Sequence, residues 1–512
     1  MKTLQMVPIL LTVALSDGVS SLHAEMIKLV TPDALPEAQA LFDALQKISG
    51  HYTLTGQHNY PASGDRNSKY AAKYTGHMPA VWTSDFGFAG EGDKDSAHVR
   101  ADTVAEAIRQ HRMGSVISLC WHAVPPTADE PVTFRPKPGA DPAKLESVQG
   151  RLLDEQFKDV LTPGTALHAK WAAQVDEIAK FLKQLEDAHV PVLWRPYHEM
   201  NGEWFWWGGR YKGQYTTVAL YRQIFDRLVN HHHLRNLIWV WNVDRVHRPA
   251  MDHDKYFPGI EYADMLTLDV YGKDFAQSYY DSLVKLSHGK PLALGEVGNP
   301  PTPEILKKQP LWTYYATWAG MVRNTTQREY DTLFADPRVL NLDDDTYATV
   351  MSDYRTTCGL PPIQFVREPA DFSGTWVLDE SKSVFGSPGP AAVPVKLEVE
   401  QKDGTLTVKS THVREFTDDE IVEEQFALDG SERKGIVRNA TRTSTATVRE
   451  EGAAIVIDSV THLPDGGPVG RDLRATETWT LSPRRNELTI LRVSDPLRGP
   501  GRLEQKLCYD LR

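Results

Sequence analysis

The stretch VLWRPYHEMNGEWFWWG, residues 192–208, opens as a short apolar run, Val192-Leu193-Trp194. Such a run reads as a strand buried in a parallel sheet. It ends in a loop with four large rings, Trp204, Phe205, Trp206 and Trp207. Between them stand Arg195, His198, Glu199, Asn201 and Glu203. A buried strand that delivers an acid beside a wall of aromatics is costly, because a carboxylate resists burial. Large rings stack well on sugars, and carboxylates are the usual tools for cutting glycosidic bonds. A Trp-rich loop can also plug a core, with the acid as an ordinary salt-bridge partner, and the segment alone leaves both readings open.

Other chemistries fit less well. His198-Glu199 begins like the HExxH zinc motif, but position 202 is Gly, so the second ligand is missing. Neither a GxSxG nucleophile elbow nor a GxxxxGK[ST] phosphate loop occurs. The net charge of −12 argues against a nucleic-acid or anionic-membrane partner. No apolar run is long enough to span a membrane. The 512 residues are 41% hydrophobic and 24% charged, enough for sizeable cores in two or three domains. The triplet His231-His232-His233 reads as a surface helix end rather than a metal site. Cys120, Cys358 and Cys508 lack zinc-type spacing, and so small and odd a count argues against a disulfide framework. Cys120 reads as a buried strand residue, which leaves a Cys358–Cys508 bridge open.

The N-terminus reads as a weak signal peptide over residues 1–24. Lys2 precedes an apolar stretch, Met6–Leu15, and Ala24 stands at a cleavage point. Pro8, Asp17 and Leu22 depart from the ideal pattern. The expected destination is secreted or periplasmic, against a frayed start or misplaced start codon.

From residue 35 to 350, short apolar strands alternate with amphipathic helices. The expected strands are Leu54–Gln57, Ala80–Asp85, Ser115–Trp121, Val192–Pro196, Leu237–Trp241, Met265–Asp269 and Pro291–Glu296. An eighth lies near Arg338–Asn341 or within Trp312–Ala319. Ser96–Met113, Ala166–Ala188, Tyr215–Asn230 and Tyr279–His288 read as helices; Ala166–Ala188 puts Val175, Ile178, Phe181, Leu182 and Leu185 on one face. Repeated strand–helix units imply an α/β fold, a (β/α)8 TIM barrel, with a doubly wound sheet as the rival. The strand ends favour the barrel. They carry Gln57-His58, Asp85, Trp121-His122, His198-Glu199, Trp241-Asn242, Asp269–Tyr271 and Glu296, and a barrel gathers its C-terminal strand ends into one active-site rim.

Residues 25–362 thus form one domain and 363–370 a linker. Residues 371–512 turn alternating and β-rich, as in LEVEQKDGTLTVKS and NELTILRV, with a hairpin signal at Asp403-Gly404. This part reads as a smaller all-β domain, an antiparallel barrel or sandwich.

The run WRPYHEMNGEWFWWG resembles the acid/base motif of glycoside hydrolase family 26, best known for β-mannanases. LALGEVG at Leu292–Gly298 resembles the family's nucleophile strand. SDFGF at Ser84–Phe88, CWHAVPP at Cys120–Pro126, DVYG at Asp269–Gly272 and YYATWAG at Tyr314–Gly320 agree with it. The resemblance covers Ala34–Pro362. It implies Glu199 as acid/base and Glu296 as nucleophile, two carboxyl groups about 5 Å apart in a retaining enzyme. It further implies that Tyr271 holds Glu296, and that His198 contacts the sugar or the nucleophile. Trp204 and Trp318 would form stacking platforms, and His122 and Asp269 would bind sugar hydroxyls. Arg195 would pair with a catalytic-centre carboxylate; Trp194, Trp206, Trp207 and Trp241 read as packing. Glu203 is the other carboxylate beside the motif. The C-terminal part resembles, more loosely, lipocalin-like modules opening with FSGTW at Phe372–Trp376. That module would bind polysaccharide or serve as a spacer.

The function implied is a monomeric endo-β-1,4-mannanase acting on mannan, galactomannan or glucomannan by a double displacement that needs no metal and no cofactor. The alternatives are a family member with another specificity (β-1,3-1,4-glucanase, β-1,3-xylanase or an exo-acting mannobiohydrolase) and a non-catalytic glycan-binding protein. The insertion Ala128–Leu161 is long enough to reach over a cleft.

Overall fold

The computed structural model describes residues 27–87, 96–364, 370–414, 418–449, 453–463, 471–495 and 501–512. The segment read as a signal peptide lies outside them, as do Phe88 and residues 365–369 of the expected linker.

Eight parallel strands form the first domain's core. They are β1 (Thr53–His58), β2 (Val81–Asp85), β3 (Val116–Trp121), β4 (Val192–Pro196), β5 (Leu237–Asp244), β6 (Met265–Val270), β7 (Leu292–Val297) and β8 (Trp312–Thr317). Strand β1 pairs with both β2 and β8, which closes the sheet into a barrel and removes the doubly wound alternative. All eight strands are buried along their whole length, as apolar runs inside a shell of helices must be. Both expected positions for the eighth strand are extended. Trp312–Thr317 closes the barrel, while β9 (Val339–Leu340) only flanks β1. Strand β5 runs on to Asp244, beyond the expected end at Trp241.

The helices follow the apolar periodicity. Ala166–Asp187 starts at an N-cap, where Thr165 Oγ1 accepts from the His168 N–H. It buries Trp171, Val175, Ile178, Leu182 and Leu185 against the barrel. The helix Thr217–Asp226 runs into a π-helical turn, Arg227–His231, so the His triplet does sit at a helix end. No described helix is long and apolar enough to cross a membrane.

The C-terminal part is a ten-stranded antiparallel sheet, curled into a barrel-like form. In chain order its strands are β10 (Gly374–Leu378), β11 (Lys396–Lys402), β12 (Thr405–His412), β13 (Glu420–Ala427), β14 (Arg433–Val437), β15 (Ala440–Arg449), β16 (Ala454–Leu463), β17 (Arg471–Leu481), β18 (Glu487–Ser494) and β19 (Leu503–Leu511). The β11–β12 hairpin turns at Asp403-Gly404, both with positive φ as a two-residue turn of this kind requires. Phe372, Trp376, Phe426, Trp479 and Tyr509 are all buried in its core, so none of these five rings is a surface platform for sugar. The three cysteines are free. The Cys358–Cys508 bridge left open by the sequence is therefore absent: Cys508 is buried in β19 of the second domain, while Cys358 packs among the barrel's outer helices.

Candidate active site

The strand-four motif turns sharply after Pro196. Tyr197 and Glu199 both adopt left-handed backbone with φ of 50°, and they bracket His198. Non-glycine residues pay about 1–3 kcal/mol for such conformations, so their surroundings must enforce them. Asn242 Oδ1 accepts the Glu199 backbone N–H at 2.6 Å. Trp207 donates its indole N–H to the His198 carbonyl at 2.8 Å, and Gly202 N–H closes a turn onto the Glu199 carbonyl. Asn201 ties the turn to β5: its amide donates to the carbonyls of Asp244 and Met251, and its oxygen accepts the Asp244 N–H. Trp206 and Trp207 are fully buried and Trp206 donates to the Ala123 carbonyl, so both are packing residues that also fix backbone.

Strand β7 brings the second glutamate. The β6–β7 register slips by one residue between Leu268 and Asp269, setting Asp269 beside Glu296 and leaving Gly295 unpaired. A Cβ on Gly295 would stand 2.7 Å from Asp269 Oδ1 and 2.9 Å from Asn242 Nδ2. The bulge is thus glycine because a polar network passes directly over it. One oxygen each of Glu199, Asp269 and Glu296 lies within 4.8 Å of the others.

Arg195 pairs with two members of this cluster. Its guanidinium gives one nitrogen to Glu296 Oε1 at 2.5 Å and the other to Asp269 Oδ2 at 3.0 Å. Tyr271 donates its hydroxyl to Glu296 Oε2 at 2.7 Å, and burial beside three carboxylates keeps that hydroxyl protonated. Glu296 is thereby gripped on both oxygens. Among the described residues no cation pairs with Glu199. Burial, then the charges of Asp269, Glu296 and Asp244, push its carboxyl well above the usual carboxylate range. Its one side-chain donor is Trp204, whose indole N–H reaches Oε2 at 2.5 Å.

The remaining expected residues fall into two groups. Trp204 and Trp318 stay partly exposed at the rim, as platforms must. His198 is buried, with Nε2 3.9 Å from Glu296 Oε1, and is held neutral chiefly by burial. His122 packs edge-on against His198 at 4.3 Å, and its Nδ1 is hydrogen-bonded to Asp85. Phe134 from the long insertion packs on His122, and that insertion bonds to the strand-four loop through Gly150 N–H and the Trp204 carbonyl. Asp269, expected to bind a sugar hydroxyl, is 0% exposed, and its oxygens accept from Arg195 and Asn242. It holds Arg195 and Asn242 in place. Glu203 points outward in an ion pair with Arg248 at 2.6 Å.

Sequence reading named Asn242 only as a strand-end group, and gave no role to Asp244 or to the stack of His58 on Trp318 at 3.9 Å. The unbroken run LIWVWNVD could have signalled that β5 extends to Asp244. Carboxylate clusters also suit metals, but here Arg195 already bridges Asp269 and Glu296. Asp176, next to His231 and His232, is likewise held by two nitrogens of Arg227 and by His232.

Comparison with known proteins identifies what the barrel domain is similar to. The model of glycosyl hydrolase family 26 matches residues 30–344. The chain is 32% identical over 325 residues to a mannan endo-1,4-β-mannosidase of Thermothelomyces thermophilus, covering 61% of this chain and 62% of that one. It is 27% identical over 332 residues to mannan endo-1,4-β-mannosidase B of Piromyces sp, covering 62% and 53%. The chain thus spans less than two thirds of each of these relatives. Among solved structures, GH26A from Muricauda sp. aligns with a TM-score of 0.56 at 39% identity, over 61% of this chain and 98% of that one. A Podospora anserina GH26-CBM35 β-(1,4)-mannanase aligns with a TM-score of 0.52 at 28% identity, over 64% and 69%.

Proposed function

The chain belongs to glycosyl hydrolase family 26, and from that membership we propose that it is a retaining endo-β-1,4-mannanase. The observation that carries the mechanism is the pairing of Glu199 with Glu296: two carboxyls with oxygens within 4.8 Å, one gripped by a cation and a hydroxyl, the other without a cation. A retaining glycosidase needs its two carboxyls about 5 Å apart, with opposite protonation states. The named substrate of the relatives, mannan, supplies the substrate class.

In this reading Glu296 attacks the anomeric carbon, held in line by Tyr271 and Arg195. Glu199, protonated because of its burial and its acidic neighbours, gives its proton to the leaving oxygen. The glycosyl-enzyme ester removes the charge of Glu296. The Glu199 carboxyl then falls in pKa and takes a proton from the incoming water, which releases the sugar with retained configuration. Trp204 and Trp318 stack on sugars on either side of the scissile bond, and His122 and His198 face the sugar upstream. Export to the cell exterior or periplasm, and a monomeric state, belong to the same proposal.

The test is reducing-sugar release from galactomannan by wild type, Glu199→Ala and Glu296→Ala, with a product profile on mannohexaose. Wild type should release short manno-oligosaccharides, and both variants should fall by several orders of magnitude. With a substrate carrying a good leaving group, Glu199→Ala should still form the glycosyl-enzyme and then stall. Faster cleavage of mixed-linkage glucan than of mannan would sink the specificity. Binding of mannan without cleavage would sink the catalytic reading.

A further inference from the structure

Beneath the cleft, three adjacent strands place a second cluster of donors that the proposed chemistry leaves unused. His58 ends β1, Asp85 ends β2, and Cys120 stands beside Asp85 in the β2–β3 register. The Cys120 thiol donates to Asp85 Oδ2 at 2.9 Å, and a ring nitrogen of His58 lies within 4.8 Å of both. His58 is the second, independent sign of a ligand. It is 1% exposed, yet among the described residues neither ring nitrogen has a hydrogen-bond partner. Buried polar groups are normally satisfied, so an imidazole left open on both edges beside a thiol and a carboxylate asks for a partner.

We propose that His58, Asp85 and Cys120 form a capture site for a borderline-soft divalent cation such as Zn2+, and that its occupancy slows turnover at the neighbouring glutamates. One nitrogen, one sulfur and one oxygen ligand is a donor set that zinc takes readily. With zinc–ligand bonds of about 2.0–2.3 Å, tetrahedral donors stand roughly 3.5 Å apart, so the 2.9 Å contact of Cys120 with Asp85 opens slightly while the His58 nitrogen, within 4.8 Å of both, moves in. The Cys120 thiol loses its proton to solvent, and the three side chains form coordinate bonds to the metal. The charge balance favours this. Asp85, Asp269 and Glu296 are three acids to the one guanidinium of Arg195, and a dication replacing one proton adds a single positive charge. An outer shell also exists, because Asp85 accepts from the backbone N–H groups of Gly87 and His122. The coupling to turnover rests on the proposed function. The Asp85 oxygen that would bind metal is the one bonded to His122 Nδ1, and His122 packs on His198 beside Glu296.

The test uses the full-length protein and the metal alone. Titration with Co2+ should give a near-ultraviolet thiolate-to-cobalt charge-transfer band that saturates at one equivalent. The band should persist in the Cys358→Ser/Cys508→Ser double variant and vanish in Cys120→Ser. Calorimetric Zn2+ affinity should fall at least tenfold in His58→Gln. These readouts do not involve sugar, so they stand apart from failure of the mannanase reading. Natively folded wild type that gives no such band, or a band that survives in Cys120→Ser, overturns the site. A bound metal that leaves wild-type turnover on mannohexaose unchanged overturns the coupling; the expected fall is tenfold or more at saturation.

Discussion

Trp204 donates its indole N–H to Oε2 of Glu199 at 2.5 Å. The ring that does so rests on Gly202, where a Cβ would stand 2.3–2.5 Å from three indole carbons. The residue that faces sugar in the proposed mechanism therefore also touches the proposed acid, and a bare backbone beneath it makes both possible.

Gly202→Ala should displace the Trp204 ring. Misplacement by about 1 Å near the reacting centre costs on the order of 10²-fold, and kcat/KM on mannohexaose should fall by about that factor. Activity within threefold of wild type would show that the ring position does not matter.

Trp204→Phe and Asp244→Asn should move the pH profile in opposite directions. The Trp204 hydrogen bond favours the ionised form of Glu199, whereas the Asp244 charge disfavours it. Catalysis requires protonated Glu199 in the free enzyme, so its deprotonation sets the basic limb of kcat/KM. Loss of the indole donor raises the Glu199 pKa and carries the basic limb to higher pH. Loss of the Asp244 charge lowers it and carries the limb to lower pH. Identical profiles in both variants would assign the limb to another group.

Arg195→Met should be costly to the fold as well as to turnover. It leaves the carboxylates of Asp269 and Glu296 buried without their cation, a change worth about 3–5 kcal/mol when one partner of a buried pair is removed. Urea unfolding should show the loss as a lower midpoint with unchanged slope. A midpoint equal to wild type would mean that the pair contributes nothing to stability.

Reducing agent should leave the unfolding transition where it is. A disulfide typically contributes about 2–4 kcal/mol, and the three cysteines here are free. A clear drop in midpoint on adding a phosphine reductant would contradict that state.

The barrel is legible in the sequence because each strand is an apolar run with a polar terminus, and Val192–Pro196 needs nothing more than this pattern. Glu199, Glu296 and Tyr271 are legible as candidates for the same reason, whereas the pairing of Arg195 comes from the family resemblance. What the sequence hides is the partner each polar group finds across the barrel. Asp269 follows an apolar strand like the others, and only the register slip at Gly295 and the reach of Arg195 turn it inward. Asp244 looks like a loop acid until β5 is seen to continue through it. Glu203 stands four residues from Glu199 but leaves the site to meet Arg248, a residue on the far side of β5 in sequence. Positions follow from local pattern; charges depend on neighbours that local pattern cannot name.

The stack of His58 on Trp318 joins the first strand of the barrel to the residue just after the last. During synthesis these two rings leave the ribosome far apart in time. At about 5–20 residues per second, the interval between them is roughly ten seconds to a minute. Throughout that interval β1 lacks its β8 neighbour, and the floor of the cleft has no wall on that side. A nascent chain stalled between Glu296 and Trp318 therefore carries every residue of the strand-four motif and Glu296, yet still lacks a complete cleft.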